Sequence, residues 1–141
     1  MKKILLIHGP NLNLLGAREP EVYGKESQKE LFKFIDNSFP QIDFIFFQSN
    51  HEGDIIDKIH AHINSINGII INPGAFSHYS YAIRDAISAV NIPTIEVHLS
   101  NVHNRESFRK ILVISDVCID TIIGKGKYGY IDAVNQLGAI K

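Results

Sequence analysis

Glu96 and His98 form the most suggestive pair of side chains in the sequence. They stand two residues apart at the end of a short apolar run, Pro93–Val97. Residues i and i+2 of a strand point the same way, so a strand here sets a carboxylate beside an imidazole. Such a carboxylate orients the ring and raises its basicity. The imidazole can then give a proton to a departing group and be reset. The same spacing also suits a buried histidine that is merely satisfied by its neighbour. Arg18 and Tyr23 are the second pair of interest, on the long stretch Leu14–Gly24. A phenol titrates near 10, and lowering that by about three units takes about 4 kcal/mol. One or two guanidinium groups in a closed pocket could supply it. Spacing alone leaves Tyr23 either a mobile aromatic contact or a base.

The elements that would hold these groups alternate along the chain. Strands are expected at Ile4–Ile7, Phe44–Phe47, Gly68–Ile71, Pro93–Val97 and Ile119–Ile123. Pro93 opens its strand, where a missing donor is tolerated. Helices are expected at Ser27–Asn37, Asp54–Ile66, Tyr79–Val90 and Lys127–Leu137. Ser27 followed by Glu30 reads as a capping box. Short apolar runs separated by helical stretches of ten or more residues indicate βαβ units. Because the runs do not alternate with polar residues, the sheet should be parallel and covered on both faces. Right-handed crossovers then give a three-layer doubly wound α/β domain. One catalytic domain over residues 1–141 is expected.

Ligands of such folds bind beyond the carboxyl ends of the strands. Four of the five expected ends carry dense uncharged polar groups: His8-Gly9-Pro10-Asn11, Gln48-Ser49-Asn50-His51, Asn72 through His78, and His98-Leu99-Ser100-Asn101. Each residue is common in loops for structural reasons. Their accumulation on one edge points to a site for a polar small molecule, with Leu14–Gly24 as a candidate lid.

Several chemistries lack their signatures. There is no phosphate-binding Gly-x-x-x-x-Gly-Lys-Ser/Thr loop, and no Gly-x-Gly-x-x-Gly after the first strand. The glycines from Gly124 to Gly129 follow the last strand instead. A Gly-x-Ser-x-Gly nucleophile turn is missing. His60 and His62, at i and i+2 of an expected helix, point apart. Glu96, His98 and His103 have no zinc-type spacing, so no metal or cofactor is expected. A formal net charge of −1 gives no footprint for nucleic acid. No apolar run approaches a membrane span, so a cytoplasmic protein is expected. Cys118, the only cysteine, reads as a buried thiol.

Taken in order, the motifs resemble those of type II 3-dehydroquinate dehydratases. They are Gly9 through Gly16, Arg18-Glu19-Pro20, Tyr23-Gly24, Gln48 through Gly53, and Ile71 through Ala75 with Ser77-His78. Next come Arg84-Asp85-Ala86, Glu96 through Asn101, Arg105-Glu106, Phe108-Arg109, and Gly124 through Tyr130. The resemblance spans nearly the whole chain. It implies a flavodoxin-like fold with a five-stranded parallel sheet, and cofactor-free trans elimination of water from 3-dehydroquinate to give 3-dehydroshikimate. It also implies a cytoplasmic homododecamer, a tetramer of trimers. Tyr23 would be the base, as tyrosinate, with Arg18 favouring that form. Asn11 would hold the water that stabilises the enolate. His98, oriented by Glu96, would protonate the leaving hydroxyl. Asn72 and the amides of Leu99 and Ser100 would bind the carboxylate, and His78 and Arg109 the ring hydroxyls. Asp85 would reach an adjacent subunit's pocket.

The chain departs from the family pattern at Asn104, where Ala is usual, at Lys110-Ile111-Leu112, where His-His-Ser is frequent, and at Asp116, where Pro is common. These positions avoid the proposed catalytic groups. Two other readings share the scaffold. Another lyase or hydrolase would not need Arg18 and Tyr23 on a lid. A non-enzymatic flavodoxin-type module would want acidic residues or a Ser/Thr-Gly loop after the first strand.

Overall fold

The computed structural model describes residues 2–17 and 19–140. Five parallel strands, β1 (Lys3–His8), β2 (Asp43–Gln48), β3 (Gly68–Asn72), β4 (Thr94–His98) and β5 (Asp120–Ile123), form one sheet in the order β2-β1-β3-β4-β5. That is the flavodoxin-like order, with its topological switch between β1 and β3. The helices are α1 (Pro20–Tyr23), α2 (Gln28–Ser38), α3 (Glu52–Ala61), α4 (Tyr81–Val90) and α5 (Tyr128–Gly138). None of them is long and apolar enough to cross a membrane.

The strands read as unbroken apolar runs because each feeds two cores. Ile4, Leu6, Ile70, Ile95 and Val97 pack with Leu31 and Ile35 of α2 and Ala133, Val134 and Leu137 of α5. The alternate residues Leu5, Ile7, Ile69 and Ile71 pack with Ile55 and Ile59 of α3 and Ile83 and Ile87 of α4. Burying one such side chain fully is worth about 1.5–3 kcal/mol, so both layers contribute to stability.

Register carries this pattern to the strand ends, where His8 stands opposite both Gln48 and Asn72. There the backbones of β1 and β3 converge tightly. A Cβ on Gly9 would lie 2.2 Å from the Pro73 carbonyl oxygen, so only glycine fits. The Ser27 capping box forms as expected, with Glu30 N–H donating to Ser27 Oγ at 3.1 Å and Ser27 N–H donating to Glu30 Oε1 at 3.2 Å.

Three expectations need correction. The third helix stops at Ala61 rather than Ile66, and Ile63 is left exposed. The chain must already be extended at Asn67, whose N–H and Oδ1 both bond to the backbone of Lys3 at 2.8 Å. The lid stretch is also less irregular than expected, following a 3-10 turn at Leu12–Leu14 and holding the single-turn α1. Cys118 is only partly buried, and burial together with the nearby Glu96 charge pushes its thiol up to about 12.

Candidate active site

Glu96 ends up inaccessible on β4 and is held by three partners. His98 Nε2 lies 2.5 Å from Oε2. Ser77 Oγ donates to the same oxygen at 2.8 Å, and Ser115 Oγ donates to Oε1 at 2.8 Å. Burial pushes this carboxyl up, but the bonds and charge of His98 and the two serines outweigh that and hold it below the usual carboxylate range. Ser77 Oγ also lies 3.2 Å from His98 Nε2. With Nε2 committed to Glu96 and Ser77, Nδ1 is the nitrogen left for exchange with a ligand.

Tyr23 arrives on α1, which starts at Pro20, a position that suits a residue lacking an N–H. Arg105 Nη1 donates to the Tyr23 hydroxyl at 2.5 Å, and its guanidinium lies 5.0 Å from the ring centroid. Arg105 also approaches Glu19 at 3.6 Å and Glu106 at 3.9 Å. These contacts tie the lid to the segment after β4, whose Val102 is buried. Arg109 is fixed by Glu106 Oε2 at 2.8 Å and lies against Phe108.

Asn72, at the end of β3, is buried, and its Oδ1 accepts from Gly74 N–H at 3.2 Å. His78 Nδ1 donates to the Ile111 carbonyl at 2.8 Å. Burial lowers its pKa, and His98 and Arg109 add to that against the Ile111 bond and Glu96. A neutral ring with its proton on Nδ1 offers Nε2 as an acceptor for a hydroxyl.

Of the residues singled out in the sequence, Tyr23, Asn72, His78 and His98 line one small cavity. Leu99, Ser100 and Arg109 line it as well, and so does Arg105. Glu96 lies behind His98. Asn11 is exposed at the turn after β1, its N–H donating to Asn50 Oδ1 at 3.0 Å, and does not line the cavity. Asp85 is exposed on α4 in a groove with Ile56 and His60, apart from the cavity. Arg18 lies outside the described residues.

A larger cavity of about 250 Å³ shares Tyr23 and Leu99 and is rimmed by Lys25, Lys125 and Lys127. It contains none of the strand-end imidazoles or amides, so the chemistry belongs to the smaller one.

Sequence reasoning missed three residues of the site: Arg105, Ser77 and Ser115. Ser77 and Arg105 stand inside the motifs quoted above, and Ser115 had no signal. Two of the departing positions make contacts of their own. His78 uses the backbone of Ile111, and Asp116 pairs with Arg84. Among the described residues, no group of three or more His, Cys, Asp or Glu is placed to hold a metal ion.

The model of the family "Dehydroquinase class II" matches residues 2–138. The 3-dehydroquinate dehydratase of Caldicellulosiruptor saccharolyticus is 55% identical over an alignment of 143 positions covering 99% of each chain. The crystal structure of type II dehydroquinase from Butyrivibrio crossotus superposes with a TM-score of 0.96 at 51% identity, covering 98% of both chains. That of Propionibacterium acnes gives 0.95 at 37% identity, covering 99% of this chain and 98% of its own. The flavodoxin-like sheet, the strand-end cavity and these matches agree, and the chain belongs to the class II dehydroquinase family of enzymes.

Proposed function

We propose that this enzyme eliminates water from 3-dehydroquinate to give 3-dehydroshikimate, by anti elimination through an enolate, in the shikimate pathway. The observation that carries the reading is the meeting, in one cavity, of an arginine-bound tyrosine hydroxyl and a histidine backed by a buried carboxylate.

The hydrogen on carbon 2, alpha to the ketone, is weakly acidic. Removing it needs a base, a stabiliser for the enolate and an acid for the hydroxyl leaving carbon 1. Tyr23, as tyrosinate, takes that proton. The Arg105 guanidinium donates to that oxygen and can stay bonded to it once the proton has gone, and Arg18 is the other arginine assigned to the base. A water held by Asn11 hydrogen-bonds to the enolate oxygen, as prepositioned donors do for developing charge. His98, as imidazolium, keeps Nε2–H on Glu96 and gives the Nδ1 proton to the departing hydroxyl, which leaves as water. Asn72 and the amides of Leu99 and Ser100 hold the substrate carboxylate. His78 and Arg109 hold the ring hydroxyls. No cofactor or metal takes part. Asp85 reaches the cavity of an adjacent subunit within a trimer, in a cytoplasmic homododecamer of one-domain chains.

The test is direct turnover of 3-dehydroquinate by the purified protein, followed by the near-ultraviolet absorbance of the conjugated enone. Turnover should resist chelator and borohydride and collapse in Tyr23→Phe and His98→Ala. No turnover by folded wild-type protein would sink the substrate assignment.

A further inference from the structure

Behind Asn72 lies a chain of buried hydrogen bonds that the elimination itself does not use. Asn72 Nδ2 lies 3.0 Å from the Tyr130 hydroxyl. That hydroxyl lies 2.8 Å from His8 Nε2, and His8 Nδ1 lies 2.9 Å from Gln28 Oε1. Tyr130 and His8 are both fully buried. The chain therefore joins the end of β3 to the end of β1, the first turn of α5 and the first residue of α2.

Its direction follows from one end. Gly74 N–H can only donate, so the Asn72 atom facing it is Oδ1 and the atom facing Tyr130 is Nδ2. The Tyr130 oxygen accepts from Nδ2 and must give its own proton to His8 Nε2. His8 then carries its proton on Nδ1 and donates to Gln28 Oε1. Rotating the amide of Asn72 by half a turn would break the chain at both ends. It would set Oδ1 against a hydroxyl already committed to His8, and Nδ2 against the Gly74 N–H. Each such buried mismatch is costly.

We propose that Tyr130 and His8, with Gln28, are positioning residues that lock the Asn72 amide in one orientation, so that its remaining N–H serves the carboxylate of the substrate. This rests on the proposed function and extends it to residues that never touch the ligand. The relay works only while His8 is neutral. A second ring proton would point at the hydroxyl and leave the Tyr130 proton without an acceptor. Burial lowers His8 to about 4 against the opposing Gln28 bond, which keeps it neutral near pH 7.

The carboxylate is bound alike in ground and transition states, so the effect should fall on KM rather than kcat. Tyr130→Phe should raise KM for 3-dehydroquinate by roughly fivefold or more, with kcat held within about twofold. In an Asn72→Ala background the same change should add nothing to KM, because the amide it positions is gone. An unchanged KM, or an equal rise in both backgrounds, would overturn the proposal. Should Tyr130→Phe fail to fold, His8 carries the test. His8→Gln keeps an acceptor for the hydroxyl and should hold KM near wild type, whereas His8→Leu should raise it. Equal effects from the two would overturn the relay.

A second readout is independent of turnover. Solid-state nitrogen-15 NMR of histidine-labelled protein at pH 7, assigned with His8→Gln, should find His8 neutral with its proton on Nδ1. A proton on Nε2, or on both nitrogens, overturns the relay. If wild-type protein does not turn over 3-dehydroquinate, the proposed function fails, and the relay is judged by this tautomer alone.

Discussion

His8 and His98 are both buried histidines at the carboxyl ends of parallel strands, and their surroundings set them to opposite uses. His98 meets a carboxylate at 2.5 Å, so a proton on its ring has a counter-charge. His8 hydrogen-bonds to Gln28 and Tyr130, both neutral, and lies against Phe32 with ring centroids 4.8 Å apart. Burial penalises a charge at both places. Only at His98 is that penalty opposed by an ion, and the ion is itself held in place by two serines. A buried imidazole becomes an acid or a fixed hydrogen-bonding strut according to the one side chain placed at its far nitrogen.

The largest test of this contrast is loss of the acid. His98→Ala should lower kcat on the order of 10³-fold in a protein that still folds. Steady-state turnover checks it, and an unchanged kcat would move the acid elsewhere. Removing only the counter-charge should do less. Glu96→Gln should lower kcat by about 10²-fold, because it makes the surroundings of His98 resemble those of His8.

The third test reads His8 through stability. The unfolded chain protonates His8 near 6.5 and the native state only near 4, so between these values the unfolded chain binds more protons. Stability should therefore fall as pH drops from 6.5 to 4, by about 3 kcal/mol in all. Urea unfolding at fixed protein concentration at pH 7 and pH 4 should show this. The difference between wild type and His8→Gln isolates it from other groups titrating there. A slope unchanged in His8→Gln would mean that the buried ring is protonated natively. The smallest effect belongs to the serine clamp. Ser115→Ala removes one donor to a buried carboxylate and should cost about 1.5 kcal/mol, seen as a lower unfolding midpoint.

The sheet and the Glu96–His98 pair were legible because both depend on local periodicity. Unbroken apolar runs mark buried parallel strands, and a spacing of two fixes a shared face. The partner of the lid tyrosine was not legible. Arg18, Arg105 and Arg109 are equally charged, and which of them reaches Tyr23 depends on how residues 102–117 turn. That stretch is a series of 3-10 turns at Val102–Asn104, Ser107–Lys110 and Ser115–Val117, which lack a long-range hydrophobic period. Ser115 escaped notice for the same reason. The early end of α3 was hidden because Ile63 and Ile66 continue the apolar pattern while the backbone has already turned to meet Lys3. His8 showed its place but not its use, because that use lies in contacts with Gln28 and Tyr130, 20 and 122 residues away.

Strand parity, which splits the core into two layers, also divides the labour of the site. His8 and Asn72 share the face of Leu6 and Ile70, toward α2 and α5, whereas Glu96 and His98 lie on the other face with Ser77 and Ser115. On the proposed mechanism, the Asn72 amide is thus supported from one side of the sheet and the His98 imidazole from the other. A change in packing beneath α5 should be felt first as altered affinity, and one beneath α4 as an altered dependence of rate on pH. The sheet thus stands between what holds the Asn72 amide and what holds the His98 imidazole.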